Sequence, residues 1–128
     1  MLTILKNAFV ETPFKILLLY RKNSEPHESF YEYLRYFIER STAHFVIGDF
    51  NVDGFIDNIQ LQNIFSEYTQ VVKEPTHLSG SLLDHIYVRN TVLQEFFIST
   101  SVLNLYFSDH DAIRLKITKA NVDFNITT

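Results

Sequence analysis

The chain has 128 residues, 46% of them hydrophobic and 20% charged, with twelve Phe, seven Tyr, no Cys and a formal net charge of −4. This size and balance fit one globular domain with a single aromatic-rich core, and exclude a disordered or collagen-like chain. The missing Cys excludes a disulfide framework and cysteine-ligated zinc, and the acidic balance argues against sequence-blind DNA binding through nonspecific phosphate contact alone.

The N-terminal segment MLTILKNAFVETPF carries one Lys and lacks a small-residue cleavage site after a long apolar segment, so no signal peptide is expected. The apolar run Ile16–Tyr20 is too short to span a bilayer, which sets the expectation of an intracellular protein, nuclear or cytoplasmic, without a membrane partner. Phe14 to Tyr20, FKILLLY, reads as a strand buried on both faces. Ser24-Glu25-Pro26-His27-Glu28 reads as a helix start, with Pro and acids in the first turn. Phe30, Tyr33, Leu34, Phe37 and Ile38 then share one helical face, a stripe that core packing explains more simply than nucleic-acid stacking.

His44 to Asp49 reads as a second buried strand, so strand, helix and strand follow one another in a βαβ order that implies parallel pairing. Leu61, Ile64, Phe65 and Tyr68 form a second helical face, and PTHLSG (75–80) is a loop. Leu82–Arg89 and Thr91–Ser99 read as two strands joined by a tight turn at Asn90. Asn104–Asp111 is a polar-ended connection, and Ala112–Thr118 alternates as a final strand. No repeat or linker divides the chain, which is expected to be a single α/β domain over residues 1–128.

Three polar clusters sit at strand ends: Asp49-Phe50-Asn51, Asp84-His85 and Ser108-Asp109-His110-Asp111. Strand termini in α/β sheets are where sites assemble, because the sheet fixes residues that the loops expose. In extended chain Asp49 and Asn51 project to the same side, placing a group that can move a proton or bind a metal beside an amide that can meet a phosphoryl oxygen. Read singly, GDFN is as well explained by an ordinary strand exit. Asp84 lies in an otherwise apolar strand and must be paired, at a boundary or in a polar pocket, from which it could orient a nearby His. The SDHD loop offers oxygen and imidazole ligands suited to Mg²⁺ or Mn²⁺ with a phosphate.

In order and separation, YRKN (20–23), IGDFN (47–51), PTHLSGSLLDHIYV (75–88) and FSDHDAI (107–113) resemble the endonuclease/exonuclease/phosphatase superfamily. The similarity is greatest to the apurinic-endonuclease-like domains of non-LTR retrotransposons, and runs from Phe14 to Thr118. It implies a sandwich of two mixed β-sheets with helices outside, and hydrolysis of phosphate esters with Mg²⁺ or Mn²⁺. By resemblance Tyr20 contacts the substrate phosphate, and Arg21 and Asn23 touch substrate. Asp49 activates the attacking water or protonates the leaving oxygen, and Asn51 holds phosphate and water. Asp84 supports His110, which stabilises phosphoryl charge, and Asp109 completes the metal or water network.

The resemblance has a gap. The family's principal metal-ligand Glu and a strand Asn precede the tyrosine segment, whereas only thirteen residues here precede Phe14. Their one acid, Glu11, lies nearer Tyr20 than the family's intervening strands would put it, and Asn7 fits no better as the amide. Asp109, then Asp49 and Glu11, are therefore the candidate metal ligands. The chain is expected to correspond to the later part of such a domain, with exposed sheet edges open to self-association or a partner. The implied function is a metal-dependent DNA endonuclease. The alternatives are a catalytically inactive remnant acting as a binding module, and a phosphatase or sphingomyelinase branch of the same superfamily.

Overall fold

The computed structural model describes residues 2–5, 14–119 and 122–127, with side-chain burial described for 14–119. Glu11 and Asn7 lie outside the described residues. The chain is mixed α/β with two sheets and three helices among the described residues. It runs β1 (Leu2–Leu5), β2 (Phe14–Tyr20), α1 (His27–Ser41), β3 (Phe45–Asp49), α2 (Ile59–Ile64), β4 (Tyr68–Gln70), β5 (Asp84–Arg89), α3 (Asn90–Leu93), β6 (Phe97–Leu103), β7 (Ala112–Lys119) and β8 (Val122–Thr127). The first sheet has the order β1-β2-β3-β5-β4 and the second β6-β7-β8.

The apolar runs of β2 and β3 pair in parallel, with Ile16 opposite Phe45 and Tyr20 opposite Asp49, as the βαβ order predicts. Because side chains alternate along a strand, each run serves two cores. Ile16, Phe45, Ile47, Ile86 and Val88 face β7, where Ile113, Leu115 and Ile117 join the same cluster. Leu17, Val46 and Tyr87 face the helices and pack with Phe30, Leu34, Ile38 and Phe65. Burial on both faces of the central strands explains why they read as continuous rather than alternating apolar runs.

Several local expectations change. The buried face of α1 is Phe30, Tyr31, Leu34 and Ile38, while Tyr33 and Phe37 are exposed, so the stripe is rotated toward Tyr31. Leu61, Ile64, Phe65 and Tyr68 are all buried, but α2 ends at Ile64 and Tyr68 opens β4. Asn58 caps α2, its side-chain oxygen accepting from the Leu61 N–H at 3.0 Å. The expected hairpin at Asn90 does not form: Asn90–Leu93 is a helical turn carrying the chain from one sheet to the other, and the next strand starts at Phe97. Ala112–Lys119 is not the last strand, since β8 pairs with it antiparallel. On the other side, the β2 edge is covered by β1, with Leu2 opposite Leu17 and Leu5 opposite Phe14. No helix among the described residues is long and apolar enough to cross a membrane.

Gly48 is where the fold tolerates no side chain. A Cβ there would sit 1.9 Å from the Leu19 carbonyl oxygen and 2.7 Å from its carbon, on the neighbouring strand's backbone. Gly80 is different, with φ +88° and nothing within 4 Å of an added Cβ. Gly80→Ala should therefore cost about 1–2 kcal/mol, the penalty of left-handed backbone. Gly48→Ala, which must push β2 from β3, should cost more than that, about 3 kcal/mol. Urea unfolding of the two variants against the parent checks the order.

Candidate functional site

The site is built from the register of β3 and β5. Their antiparallel pairing sets Asp49 directly opposite Asp84 at the end of the ladder, and alternation puts both on the side that faces the second sheet. The connection after β6 brings His110 to them. Its Nδ1 lies 2.8 Å from Asp84 Oδ2, and its Nε2 lies 3.6 Å from Asp49 Oδ2. One ligand atom from each of these three residues falls within 4.8 Å of the others. They border a cleft of about 430 Å³ whose other walls include Leu18, Ile47 and Ala112.

Backbone contacts hold the loops in place. Phe50 N–H donates to the Leu83 carbonyl at 2.9 Å, tying the exit of β3 to the entry of β5. Buried Thr76 accepts the N–H groups of Leu83 and Asp84 on its hydroxyl, at 3.1 and 3.0 Å, and its carbonyl accepts Asp111 N–H at 2.8 Å. Leu78 N–H donates to the Asp109 carbonyl at 2.7 Å, and His77 and His110 form an isolated bridge. The PTHLSG loop is therefore a brace across the SDHD loop. Asp111 is spent internally, accepting Leu105 N–H at 3.2 Å.

Asn51 adopts φ +50°, the left-handed region that Asn enters more readily than other side-chain-bearing residues. Its N–H donates to Asp49 Oδ1 at 3.0 Å, and its Nδ2 donates to the Arg21 carbonyl at 2.6 Å. The second bond fixes the amide so that Oδ1 is the atom left for a ligand. Tyr20 stands next to Asp49 on β2 and is 68% exposed, free to meet a substrate. Asn23 lies exposed in the turn that follows. Arg21 departs from the expectation that it touches substrate. It is buried, and its guanidinium donates to the carbonyls of Asn51 and Glu25 at 3.1 and 2.5 Å. Its role in the structure is to clamp the loop that presents Asn51.

The charges oppose and rescue one another. Burial raises the pKa of Asp49 above the ordinary carboxylate value and Asp84 adds to the rise, while the Asn51 N–H, His110 and His77 pull it back. Burial works against a charged His110, yet the Asp84 hydrogen bond and the carboxylates of Asp84, Asp49 and Asp109 outweigh it, so its pKa is raised. His85 is the opposite case. It lies on the helix side of β5, buried, with Nε2 at 2.8 Å from the Val52 carbonyl and Nδ1 at 3.1 Å from the Tyr87 hydroxyl. Burial lowers its pKa, and it is a core residue and not a partner of Asp84.

Asp109 is exposed and its Oδ2 lies 3.6 Å from His77 Nε2. His77, Asp109 and His110 form a second group with ligand atoms within 4.8 Å of one another. His77 had no role in the sequence reading beyond its place in the loop, because nothing in the spacing of PTHLSG ties it to a residue 33 positions later. No protein-family model and no curated protein matches the chain.

The electrostatics make a direct prediction. In ¹H–¹⁵N spectra His110 should titrate above the ordinary imidazole value of 6.5 and His85 below it. Asp84→Asn removes the hydrogen-bonded carboxylate that favours the charged ring, so the His110 midpoint should move down while His85 stays neutral. A His110 midpoint unchanged by the substitution would show that the Asp84 contact does not form in solution.

Proposed function

We propose that the chain is a metal-dependent phosphodiester hydrolase acting on DNA, of the endonuclease/exonuclease/phosphatase type, in which Asp49, Asn51, Asp84 and His110 carry the reaction. The observation that supports this most is the convergence of Asp49, Asp84 and His110 from three separate segments, with His110 held at 2.8 Å by Asp84. The order of these residues in the sequence supports the family resemblance, and the two-sheet α/β architecture is compatible with its fold.

The residues divide the work. Asp84 fixes the His110 ring and favours its charged form, in which Nε2–H is available to a non-bridging phosphoryl oxygen on the Asp49 side of the cleft. Asp49, whose raised pKa brings it closer to the range of a useful base, takes a proton from the attacking water. Water oxygen joins phosphorus as the ester oxygen leaves on the opposite side. Asn51 Oδ1 accepts from the attacking water, and Tyr20 meets the substrate phosphate from the adjoining strand. The oxygen-rich donors fit a hard cation that keeps most of its waters: an Asp49 carboxylate oxygen and Asn51 Oδ1 would hold Mg²⁺ or Mn²⁺ together with substrate. Bound there, the ion supplies charge neutralisation on the phosphoryl oxygens. His110 is not a ligand through Nδ1, which is committed to Asp84.

Nicking of supercoiled plasmid with Mg²⁺ or Mn²⁺ tests the reading. Chelation should abolish it, and Asp49→Ala or His110→Ala should each lower the rate by about 10²-fold or more. A parent chain no more active than these variants removes the enzymatic reading and leaves a binding module. Hydrolysis of phosphomonoesters without plasmid nicking assigns the chain to a phosphatase chemistry instead.

A further inference from the structure

We propose that His77 is a second imidazole donor to the phosphate held at His110, so that one phosphate group is gripped by two rings. The proposal rests on the phosphodiester reading of the Asp49–Asp84–His110 site and adds to it a substrate-binding residue from a different loop.

The first observation is the tautomer. Ser79 N–H donates to His77 Nδ1 at 3.1 Å, and the Ser79 hydroxyl lies 2.7 Å from the same nitrogen. A backbone N–H is a donor only, so Nδ1 must offer its lone pair. The neutral ring therefore carries its proton on Nε2. That Nε2 lies 3.6 Å from Asp109 Oδ2, beyond hydrogen-bond distance, and is committed to no hydrogen bond among the described residues. The loop thus spends the Ser79 N–H fixing the ring, the Ser79 hydroxyl donating on to Ser81 Oγ, and leaves the Nε2–H unspent.

The second observation is position. His77 and His110 pair across an isolated bridge, and their rings meet edge to face with centroids 4.9 Å apart. One ring nitrogen of His77 and one of His110 lie within 4.8 Å of each other, so the two rings are close enough for a single phosphate to reach both. Thr76, Leu78 and their bonds to Asp111 and Asp109 hold the two loops in this relation.

The same group of His77, Asp109 and His110 could be read as a metal site, and the tautomer argues against that. An ion on His77 Nε2 needs the lone pair there, which moves the ring proton to Nδ1 and into the Ser79 N–H. Asp109 lowers the potential for an anion, but its side chain is 67% exposed, so water screens it.

The test uses the unmutated chain first. With Mg²⁺ present, inorganic phosphate should shift the Nε2 resonances of both His77 and His110 with one binding curve. His77→Ala should weaken that binding about tenfold, and His77→Gln, which keeps an N–H donor, should recover part of the loss. In plasmid nicking His77→Ala should raise KM more than it lowers kcat. Phosphate shifting His110 alone, with His77→Ala binding it as the parent does, overturns the role of His77 and leaves the phosphodiester reading intact. Phosphate shifting neither ring overturns both. Mn²⁺ broadening His77 carbon resonances without phosphate overturns the donor role in favour of metal ligation.

Discussion

The antiparallel register of β3 on β5 is the constraint from which the rest follows. It sets two carboxylates, Asp49 and Asp84, face to face at a half-buried strand end. Like charges so placed repel strongly, and burial sharpens the repulsion. The site can exist only if something cationic or a proton lies between them, and His110 is the group the fold supplies. Its two ring nitrogens are divided between the two acids, at 2.8 Å from Asp84 and 3.6 Å from Asp49. The shorter contact makes Asp84 the carboxylate that anchors the ring. The longer one leaves Asp49 only partly neutralised, which is the condition for a carboxylate that exchanges protons with a substrate or holds a cation.

Holding that register falls to groups with no chemical part in the site. Gly48 permits β2 to lie against β3, because any Cβ would enter the Leu19 carbonyl. Buried Thr76 gathers the N–H groups of Leu83 and Asp84, so the chain enters β5 with Asp84 aimed at the cleft. Arg21 binds the carbonyl of Asn51 while Asn51 binds that of Arg21, a reciprocal clamp between the exits of β2 and β3. A buried guanidinium is expensive unless its donors are used, and the two terminal nitrogens of Arg21 bond to several carbonyls, which offsets that cost in part, while its Nε is buried without a hydrogen bond. These contacts keep the acids close despite their repulsion, which adds to the rise that burial itself gives the Asp49 pKa.

Much of this was legible in the chain. FKILLLY and FVIGD are strands because a run that is apolar on both sides of a pleat fits a central position between two cores, and both runs are paired as expected. Asp49, Asn51, Asp84 and His110 could be picked out because their order and separation resemble a known family's, whereas each read singly is explained by an ordinary strand exit or loop. What could not be read was long-range or one-residue geometry. Tyr31 replaces Tyr33 on the buried face of α1 because a rotation of the helix by part of a turn changes which neighbour is covered, and both are tyrosines. Asn90 looked like a turn residue, and it does start a turn. It is a helical one, however, because β5 and β6 belong to different sheets and a hairpin could not join them. Arg21, expected to touch substrate, is instead buried on the carbonyls of residues 50 and 51, a long-range contact that the sequence does not signal.

The position of His77 shows why a site of this kind is assembled from bridges and not from motifs. Its ring matters only because Leu78 N–H reaches the Asp109 carbonyl and Asp111 N–H reaches that of Thr76, so two loops far apart in sequence run side by side for a few residues. Main-chain bonds of this sort carry no side-chain signature, yet they set the distance between two imidazoles as firmly as strand pairing sets Asp49 against Asp84. The two histidines then differ by their partners alone. Asp84 takes the Nδ1–H of His110 and favours its charged form, and the Ser79 N–H occupies the Nδ1 lone pair of His77. Two ring donors held side by side by different partners suit an anionic group with two oxygens to share between them.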